Sequence, residues 1–316
     1  MGSDYSAAIV ATLPSELAGL RLDLALAKAF PQFSRARLQA WLKSGRVRLS
    51  RGGEPLRAAG RALVLGGERV ELSPPDAVDA AAPPAQRLPL AIVYEDRDLL
   101  VIDKPAGLVV HPGAGNPDRT LMNALLAHAP ALRQVPRAGI VHRLDKDTSG
   151  LMVVAKNLGA QANLAAQLAE RSVARTYLAL VHGEPPQQGL IDAPVGRDTR
   201  SRTRMTVTRR GKEARTRYRV LERFGGEGRP ACALLECRLE TGRTHQIRVH
   251  LQHLRHPVVG DPVYGRGAGR GPEFGRQALH AAELQLVHPR TGKPRRWKAP
   301  LPADMKKLLA SLRRGR

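Results

Sequence analysis

The sequence has few aromatic residues, two cysteines and no long apolar run. Phe, Trp and Tyr make up 3% of its 316 residues, which argues against a binding surface of stacked aromatic platforms, the usual device of sequence-tolerant single-strand binders. Cys232 and Cys237 are separated by an odd spacing within one apparent strand, so we expect no disulfide between them. Without an apolar run of about eighteen residues or a signal-type start, we expect a cytoplasmic protein that does not cross a membrane.

Acidic residues are also in deficit. Fifty-one Lys and Arg against twenty-eight Asp and Glu give a net charge of +23 and an isoelectric point near 11.2. This balance indicates a polyanionic partner, for which nucleic acid is the first candidate. The alternative explanation of the charge is that proteins throughout this proteome are rich in arginine. The 42% hydrophobic content is enough for one large domain and a small one.

The segment 139–156 holds the densest set of chemically useful side chains. Apolar runs at 139–141 and 151–155 flank a charged centre that ends in Thr-Ser-Gly, a composition typical of strand, exposed loop and strand. That centre, residues 142–147, places His, Arg, Lys and two Asp within six positions. Because loops on rigid strands often carry function, the pattern favours a catalytic loop; a solvated loop with an Asx-turn at Asp147 is the alternative.

Four segments, taken in chain order, resemble the pseudouridine synthases that modify large-subunit ribosomal RNA, the RluA family. They are residues 109–117, 139–156, 175–181 and 239–248. The resemblance extends over nearly the whole chain. Residues 111–117 and 136–139 make it most similar to the D-type group of that family.

The resemblance implies isomerisation of specific uridines to pseudouridine in a hairpin loop of 23S ribosomal RNA. That reaction breaks the bond from C1′ to N1, rotates the base and rejoins it through C5 without redox change. Asp145 matches the family's catalytic aspartate, which acts as nucleophile at C1′ or as base at C2′. Asp147 is the rival carboxylate, although it leads into Thr-Ser-Gly, where a turn role is more natural.

An aspartate that acts as an anion in a closing pocket needs a nearby cation, because desolvation would otherwise raise its pKa. Arg243 corresponds to the family's arginine that pairs with this aspartate, and Arg248 is the second choice. Thr244 is a plausible N-cap of a helix through Ile247 and Leu251. A strand is the competing prediction, because apolar residues also alternate there.

Two further residues carry over from the resemblance. Tyr177 matches the tyrosine that stacks on the target base; an ordinary strand aromatic is the alternative. A base inside a stem-loop must be extruded before it can rotate. Arg143 matches the arginine that enters the RNA in its place; a phosphate contact or an exposed loop charge is the alternative.

Residues 17–73 are predicted to form a small unit of two helices and a short strand. The first helix has helical apolar spacing from 22 to 29, and the second begins at the N-cap Ser34 and ends before Gly45. Its exposed basic residues are suited to phosphate contacts. They are Arg35, Arg37, Lys43, Arg46 and Arg48. The unit resembles an S4-type RNA-binding domain; a helix pair with merely solvated charges is the alternative.

The rest of the chain divides into a tail, a linker and a larger domain. Residues 1–16 are predicted as an N-terminal tail, and 74–89, with Pro pairs and no apolar period, as an interdomain linker. Residues 90–316 alternate short β-rich runs with helical stretches, which predicts an α+β domain. The resemblance implies a pseudouridine synthase catalytic domain with a mixed, mainly antiparallel bent sheet and a central cleft.

We expect no metal and no cofactor. His250, His253 and His256 are three apart on the predicted helix and lack acidic or cysteine partners nearby. The sequence also lacks a dinucleotide fingerprint and a nucleophile elbow. The expected partner is 23S ribosomal RNA or the pre-50S particle, bound by a monomer. Alternatives are the same chemistry on transfer RNA or another ribosomal site, and a non-catalytic ribosome-assembly factor.

Overall fold

The computed structural model describes residues 8–30, 33, 35–73, 83–113, 115–199, 201, 204–226, 229–265 and 271–314. The chain divides into two compact units, Met1–Pro84 and Ala85–Arg316. None of the helices in the described ranges combines the length and apolar composition that a bilayer crossing requires.

The first unit packs two helices on a four-stranded antiparallel sheet. Its elements are β1 (Ile9–Thr12), α1 (Leu22–Ala29), α2 (Arg35–Lys43), β2 (Val47–Arg51), β3 (Glu54–Leu56) and β4 (Arg69–Leu72). The strand order is β1-β4-β2-β3. Both predicted helices and the strand are confirmed, and Gly45, with φ 71°, follows the second helix as expected. Ser34, the predicted N-cap, lies outside the described residues.

The predicted N-terminal tail contains a strand. Ile9 to Thr12 form β1, paired with β4, and Ile9 and Ala11 pack against the core of the first unit. The four residues are too few for a periodic signal, and their partner strand lies about sixty residues on. Of the predicted linker, 74–82 lie outside the described residues, whereas Gln86 donates its backbone N–H to Asn123 O of the second unit at 3.0 Å.

The second unit is built on a nine-stranded sheet. The strands of this unit, in chain order, are β5 (Ile92–Glu95), β6 (Leu99–Lys104), β7 (Ser149–Ala155), β8 (Ala174–His182), β9 (Gln188–Asp192), β10 (Val195–Arg197), β11 (Met205–Val207), β12 (Arg215–Gly226), β13 (Arg229–Leu239), β14 (Leu279–Val287) and β15 (Pro294–Lys298). Its α-helices are α3 (Leu121–His128), α4 (Leu158–Ala169), α5 (Gln246–His253) and α6 (Ala303–Arg314). Strands β10 and β11 form a separate pair.

The sheet is mixed and mainly antiparallel. Its order is β5-β6-β7-β14-β8-β13-β12-β9, with β15 on β14, and β7 and β14 pair in parallel. The central strands are buried on both faces: Leu100 and Ile102 of β6 pack into the core that includes α3 and α5, and Leu99 and Val101 into the core that includes α4. The predicted α+β class is confirmed.

One predicted strand of the signature segment is absent. Residues 136–139 form a 3₁₀ turn, and Ile140 makes an isolated bridge to Val154. Gly139 has φ 75°, and a Cβ there would lie 1.8 Å from the carbonyl oxygen of Ala155. The chain therefore turns against β7 in a conformation that needs glycine. The second run forms β7 as predicted, so the charged centre is a loop anchored on one fully buried strand.

Candidate active site

The charged loop opens into a cavity of about 400 Å³ in the second unit. All five site residues predicted in this unit line it. They are Arg143, Asp145, Tyr177, Arg243 and Arg248. They come from three parts of the chain: the loop before β7, strand β8, and the segment that includes the turn into α5 and the first turn of that helix. The sheet order brings these segments together, since β14 lies between β7 and β8, and β13, which precedes the turn, pairs with β8.

Asp145 is held by a buried arginine. Nη1 of Arg248 donates to Oδ2 of Asp145 at 2.9 Å, while its Nε and Nη2 donate to Asp261 at 2.6 and 2.8 Å. The Arg248 side chain is 5% exposed and that of Asp261 is fully buried. Asp261 also accepts the backbone N–H groups of Val263 and Tyr264. Two carboxylates thus fix the guanidinium, which presents one N–H to Asp145.

The pairing of Arg243 with Asp145 is corrected by this geometry. Arg243 lines the cavity, but its Nε donates to the carbonyl oxygen of Glu213 at 3.0 Å. Arg243 precedes α5, where the Glu213 carbonyl holds its guanidinium, whereas Arg248 lies on α5 and is held by the buried Asp261. His245, not Thr244, is the N-cap, with φ 56° and ψ 20°, so the helix starts at Gln246. Arg243 remains on the preceding turn, whereas Arg248 lies in the first helical turn and is buried.

Gln246 fixes that turn. Its Oε1 accepts from the backbone N–H of Arg243 and the Thr241 hydroxyl, and its Nε2 donates to the Arg215 carbonyl and the Thr216 hydroxyl. These four contacts satisfy the buried amide completely. The helix predicted over this segment is confirmed, and the competing strand is wrong.

Sequence reasoning missed His245 and Tyr264. Oη of Tyr264 accepts the backbone N–H of Met205 at 2.9 Å and lies 2.9 Å from Nδ1 of His245. The hydroxyl can therefore donate to Nδ1, which leaves the ring hydrogen on Nε2, 3.9 Å from Oδ1 of Asp145. Burial lowers the pKa of His245, which favours this neutral form. The sequence signal for His245 was its place in residues 239–248, one of the four segments that resemble the family.

Tyr177 and Arg143 occupy contrasting positions in the cavity. Tyr177 projects from β8 and is 6% exposed; burial raises the pKa of its phenol, so the hydroxyl keeps its proton near neutral pH. Arg143 is exposed on the loop, two residues before Asp145. A buried aromatic wall and an exposed cation beside one carboxylate suit a flat ring entering from solvent.

Two side chains hold the charged loop from behind by donating hydrogen bonds to its carbonyl oxygens. Lys104, fully buried at the end of β6, donates to the carbonyl oxygens of Pro105, Leu108 and Lys146 at 2.8 to 3.0 Å. Nη1 of Arg276 donates to Asp147 O at 3.0 Å. Burial lowers the pKa of Lys104 to about 7. Two side chains distant in sequence thus fix the two carbonyls that follow Asp145.

Lys104→Met is expected to destabilise the protein by about 2 kcal/mol and lower activity roughly tenfold. Three carbonyls would lose the Lys104 ammonium as a donor, and the loop that carries Asp145 would lose a contact that holds it in place. Lys146→Met is the matched control, because its side chain is exposed beside the same loop. Urea denaturation and initial rates of isomerisation measure the two effects. Equal stability and activity of the two variants would contradict the role of Lys104 in holding the loop.

The histidines predicted not to bind metal have other partners. His250 lies 2.9 Å from the Thr216 hydroxyl and from Ala193 O, and His256 lies 2.9 Å from His182 O. Elsewhere in the described residues, Asp96, Asp98 and His288 have a spacing that could hold an ion. Their oxygens, however, already accept hydrogen bonds from protein groups, including His288 itself and the guanidinium of Arg290.

Comparison with known proteins identifies the family. Residues 98–253 match the family described as RNA pseudouridylate synthase. Ribosomal large subunit pseudouridine synthase D of Nitrosomonas europaea is 53% identical over 308 residues, which cover 96% of this chain and 87% of that protein. The protein of the same name from Pseudomonas aeruginosa is 51% identical over 97% of this chain and 96% of its own length. The chain belongs to the RNA pseudouridylate synthase family.

A solved structure agrees with this membership. Human RNA Pseudouridylate Synthase Domain Containing 1 is 30% identical, covers 73% of this chain and 98% of its own, and has a TM-score of 0.55. The predicted family and fold class are confirmed. The family match includes Asp145, Tyr177 and Arg248, whereas Asp261 and Tyr264 lie beyond its end.

The basic residues predicted in the first unit have mixed surroundings. Arg35 donates to Oδ2 of the buried Asp23 at 2.7 Å, together with Arg21 and Gln39. Burial raises the pKa of Asp23, but these hydrogen bonds outweigh it and lower that pKa to about 2. Arg35 therefore stabilises the fold of the unit. Lys43 and Arg48 are exposed and Arg46 is partly exposed; the side chain of Arg37 lies outside the described residues.

Proposed function

We propose that this pseudouridine synthase isomerises specific uridines in a hairpin loop of large-subunit 23S ribosomal RNA. The observation that carries the proposal is Asp145, a carboxylate held in the cavity by a buried arginine. Two relatives more than half identical over nearly the full chain are named for the large ribosomal subunit. The net charge of +23 supports a polyanionic substrate.

Asp145 acts on the ribose of the target uridine, by attack at C1′ or removal of the C2′ proton. Either route breaks the bond from C1′ to N1 and forms one from C1′ to C5. The hydrogen of C5 leaves as a proton and N1 gains one, so the reaction is redox-neutral. Arg248 orients Asp145 and places a positive charge beside it in the cavity that the base enters.

Tyr177 provides the wall on which the extruded base stacks, and Arg143 fills the space that the base leaves in the RNA. Tyr177 is buried on β8 and Arg143 is exposed at the cavity mouth, the positions that these tasks require. The first unit anchors the substrate as an S4-type module through Arg37, Lys43, Arg46 and Arg48. We place the protein in the cytoplasm, as a monomer acting on 23S RNA or the pre-50S particle.

Arg143→Ala should lower activity on a structured hairpin by about tenfold more than on a flexible single strand of the same sequence. A flexible strand presents its uridine unstacked, so no side chain need replace it. Arg133→Ala, an exposed arginine that does not line the cavity, is the control. Equal losses on both RNAs would contradict the flipping role.

Tritium release tests the proposed function, because C5 loses its hydrogen when it becomes the glycosidic carbon. The native chain is incubated with unmodified 23S RNA, pre-50S particles and transfer RNA, each labelled at uridine C5. Release from 23S RNA or the particle, with modified positions mapped by primer extension after carbodiimide treatment, supports the proposal. Release from transfer RNA alone would overturn the substrate, and tight binding without any release would favour the assembly-factor alternative.

A further inference from the structure

Arg175 is a buried arginine in the active-site cavity without an ionic partner. It lies on β8, is 8% exposed and lines the same cavity as Asp145 and Tyr177. Its Nε is buried and makes no hydrogen bond. Among the described residues no carboxylate lies within ion-pair distance of its guanidinium. Arg248, which is 4% exposed, has two carboxylate partners.

A buried charge without a partner is costly, and its persistence needs a reason. The cavity lining contains five arginines, at 137, 143, 175, 243 and 248, and one carboxylate, Asp145. That carboxylate is already paired with Arg248. The described cavity therefore has an excess of positive charge that its own residues do not neutralise. An anion from outside the chain would complete it.

The chain also leaves room for the guanidinium. A Cβ at Gly242 would lie 2.6 Å from Nη1 of Arg175. Gly242 has no positive φ, so backbone strain does not explain glycine there. Its lack of a side chain permits the guanidinium to lie against the turn that leads into α5.

Arg175 and Tyr177 are two residues apart on one strand, so their side chains share a face about 7 Å apart. An anion bound by Arg175 would thus lie beside a base stacked on Tyr177. In RNA the anion linked to every base is the backbone phosphate.

We propose that Arg175 binds the phosphodiester that flanks the target uridine and so fixes the backbone of the extruded nucleotide. This proposal rests on the proposed function, because it places the target base against Tyr177. Arg175 is a binding residue: it neutralises the phosphate that enters the cavity, while Asp145 acts on the ribose.

The free protein gives the first test. Arg175→Met removes an unpaired buried charge and keeps an apolar side chain of similar length, so its thermal midpoint should equal or exceed that of the native protein. A fall of several degrees would show that the guanidinium has a structural partner, and would overturn the proposal.

Neutral linkages give the second test. A hairpin with the mapped target uridine is made with one methylphosphonate on its 5′ or its 3′ side. Asp145→Asn is present in every protein, so that no RNA is turned over. On ordinary RNA, Arg175→Met should weaken binding about 10- to 100-fold. For the protein that retains Arg175, a methylphosphonate on one of the two sides should weaken binding to the same degree. Arg175→Met should be insensitive to that linkage, whereas Arg133→Ala should keep full sensitivity.

Equal sensitivity of Arg175→Met and its parent at both linkages would overturn the proposal. Gly242→Ala supplies an independent variant that keeps the charge but displaces the guanidinium; it should weaken binding and lose the same sensitivity. Tritium release by the native chain from the same hairpin separates the two hypotheses. No release refutes the proposed function, whereas release without phosphate coupling refutes the role of Arg175 alone.

Discussion

Asp145→Asn is expected to lower isomerisation by on the order of 10⁴-fold or more, while RNA affinity stays the same or rises slightly. The amide has nearly the shape of the carboxylate, and its oxygen can still accept the hydrogen bond that Nη1 of Arg248 donates to Asp145 at 2.9 Å in the native protein. It cannot attack C1′ or remove a proton from C2′. Binding should not weaken, because the substitution removes a negative charge from a cavity that approaches phosphates.

Asp147→Asn is the matched control. Asp147 is two residues away on the same loop, but it lines a separate cavity beside α6. Its backbone carbonyl, which the substitution retains, is the group that accepts from Arg276. Activity should therefore remain within about twofold of the native value.

Tritium release from C5-labelled RNA and filter binding of the same RNA measure the two effects separately. Loss of activity with retained binding in Asp145→Asn alone supports the catalytic assignment. If both variants lost activity equally, the loop would matter for its fold and the assignment would be withdrawn. If Asp145→Asn lost binding and activity together, the carboxylate would be a structural group.

The parts of the site that the sequence predicts are those encoded locally. Asp145 and Arg143 lie within one charged run, and Tyr177 lies within one short β-rich run, so the resemblance could assign each by position. The helix 246–253 was also readable from apolar spacing. Its first residue was not, because the start depends on the left-handed conformation of His245, a residue type that tolerates it.

The parts that the sequence does not predict depend on contacts between distant segments. Lys104 binds the carbonyl of Lys146 across 42 positions, and nothing near either residue indicates that contact. Arg175 looks like any strand arginine until its cavity is known. The choice between Arg243 and Arg248 depended on Asp261, a distant residue that holds the Arg248 guanidinium in the buried position beside Asp145.

Arg248→Met is expected to destabilise the protein by about 3–5 kcal/mol and to lower activity at least 100-fold. The substitution leaves Asp261, which is fully buried, with two backbone N–H donors and no cation. Asp145 loses the positive charge beside it and the contact that orients it. Arg243→Met, by contrast, removes one hydrogen bond to a backbone carbonyl and should change stability by less than about 1 kcal/mol.

A double variant separates the fold from the chemistry. Asp261→Asn in the Arg248→Met background removes the unpaired buried charge, so most of the lost stability should return. Activity should not, because Asp145 still lacks its partner. Urea denaturation and tritium release report the two quantities. If the double variant regained activity, Arg248 would serve the fold alone and would not be needed to orient Asp145.

The stabilities of the native protein and of Arg248→Met should change with pH in opposite directions. Burial raises the pKa of Asp261, but the hydrogen bonds and charge of Arg248 outweigh it and hold that pKa below its ordinary value. The pair therefore stabilises the native fold above about pH 4 and is lost as pH falls. In Arg248→Met the buried carboxyl has a raised pKa instead, so the variant loses stability as pH rises above about 4. The stability difference between native and variant should thus be large near pH 7 and shrink toward pH 4.5; a constant difference would mean that Asp261 is not the group left uncompensated.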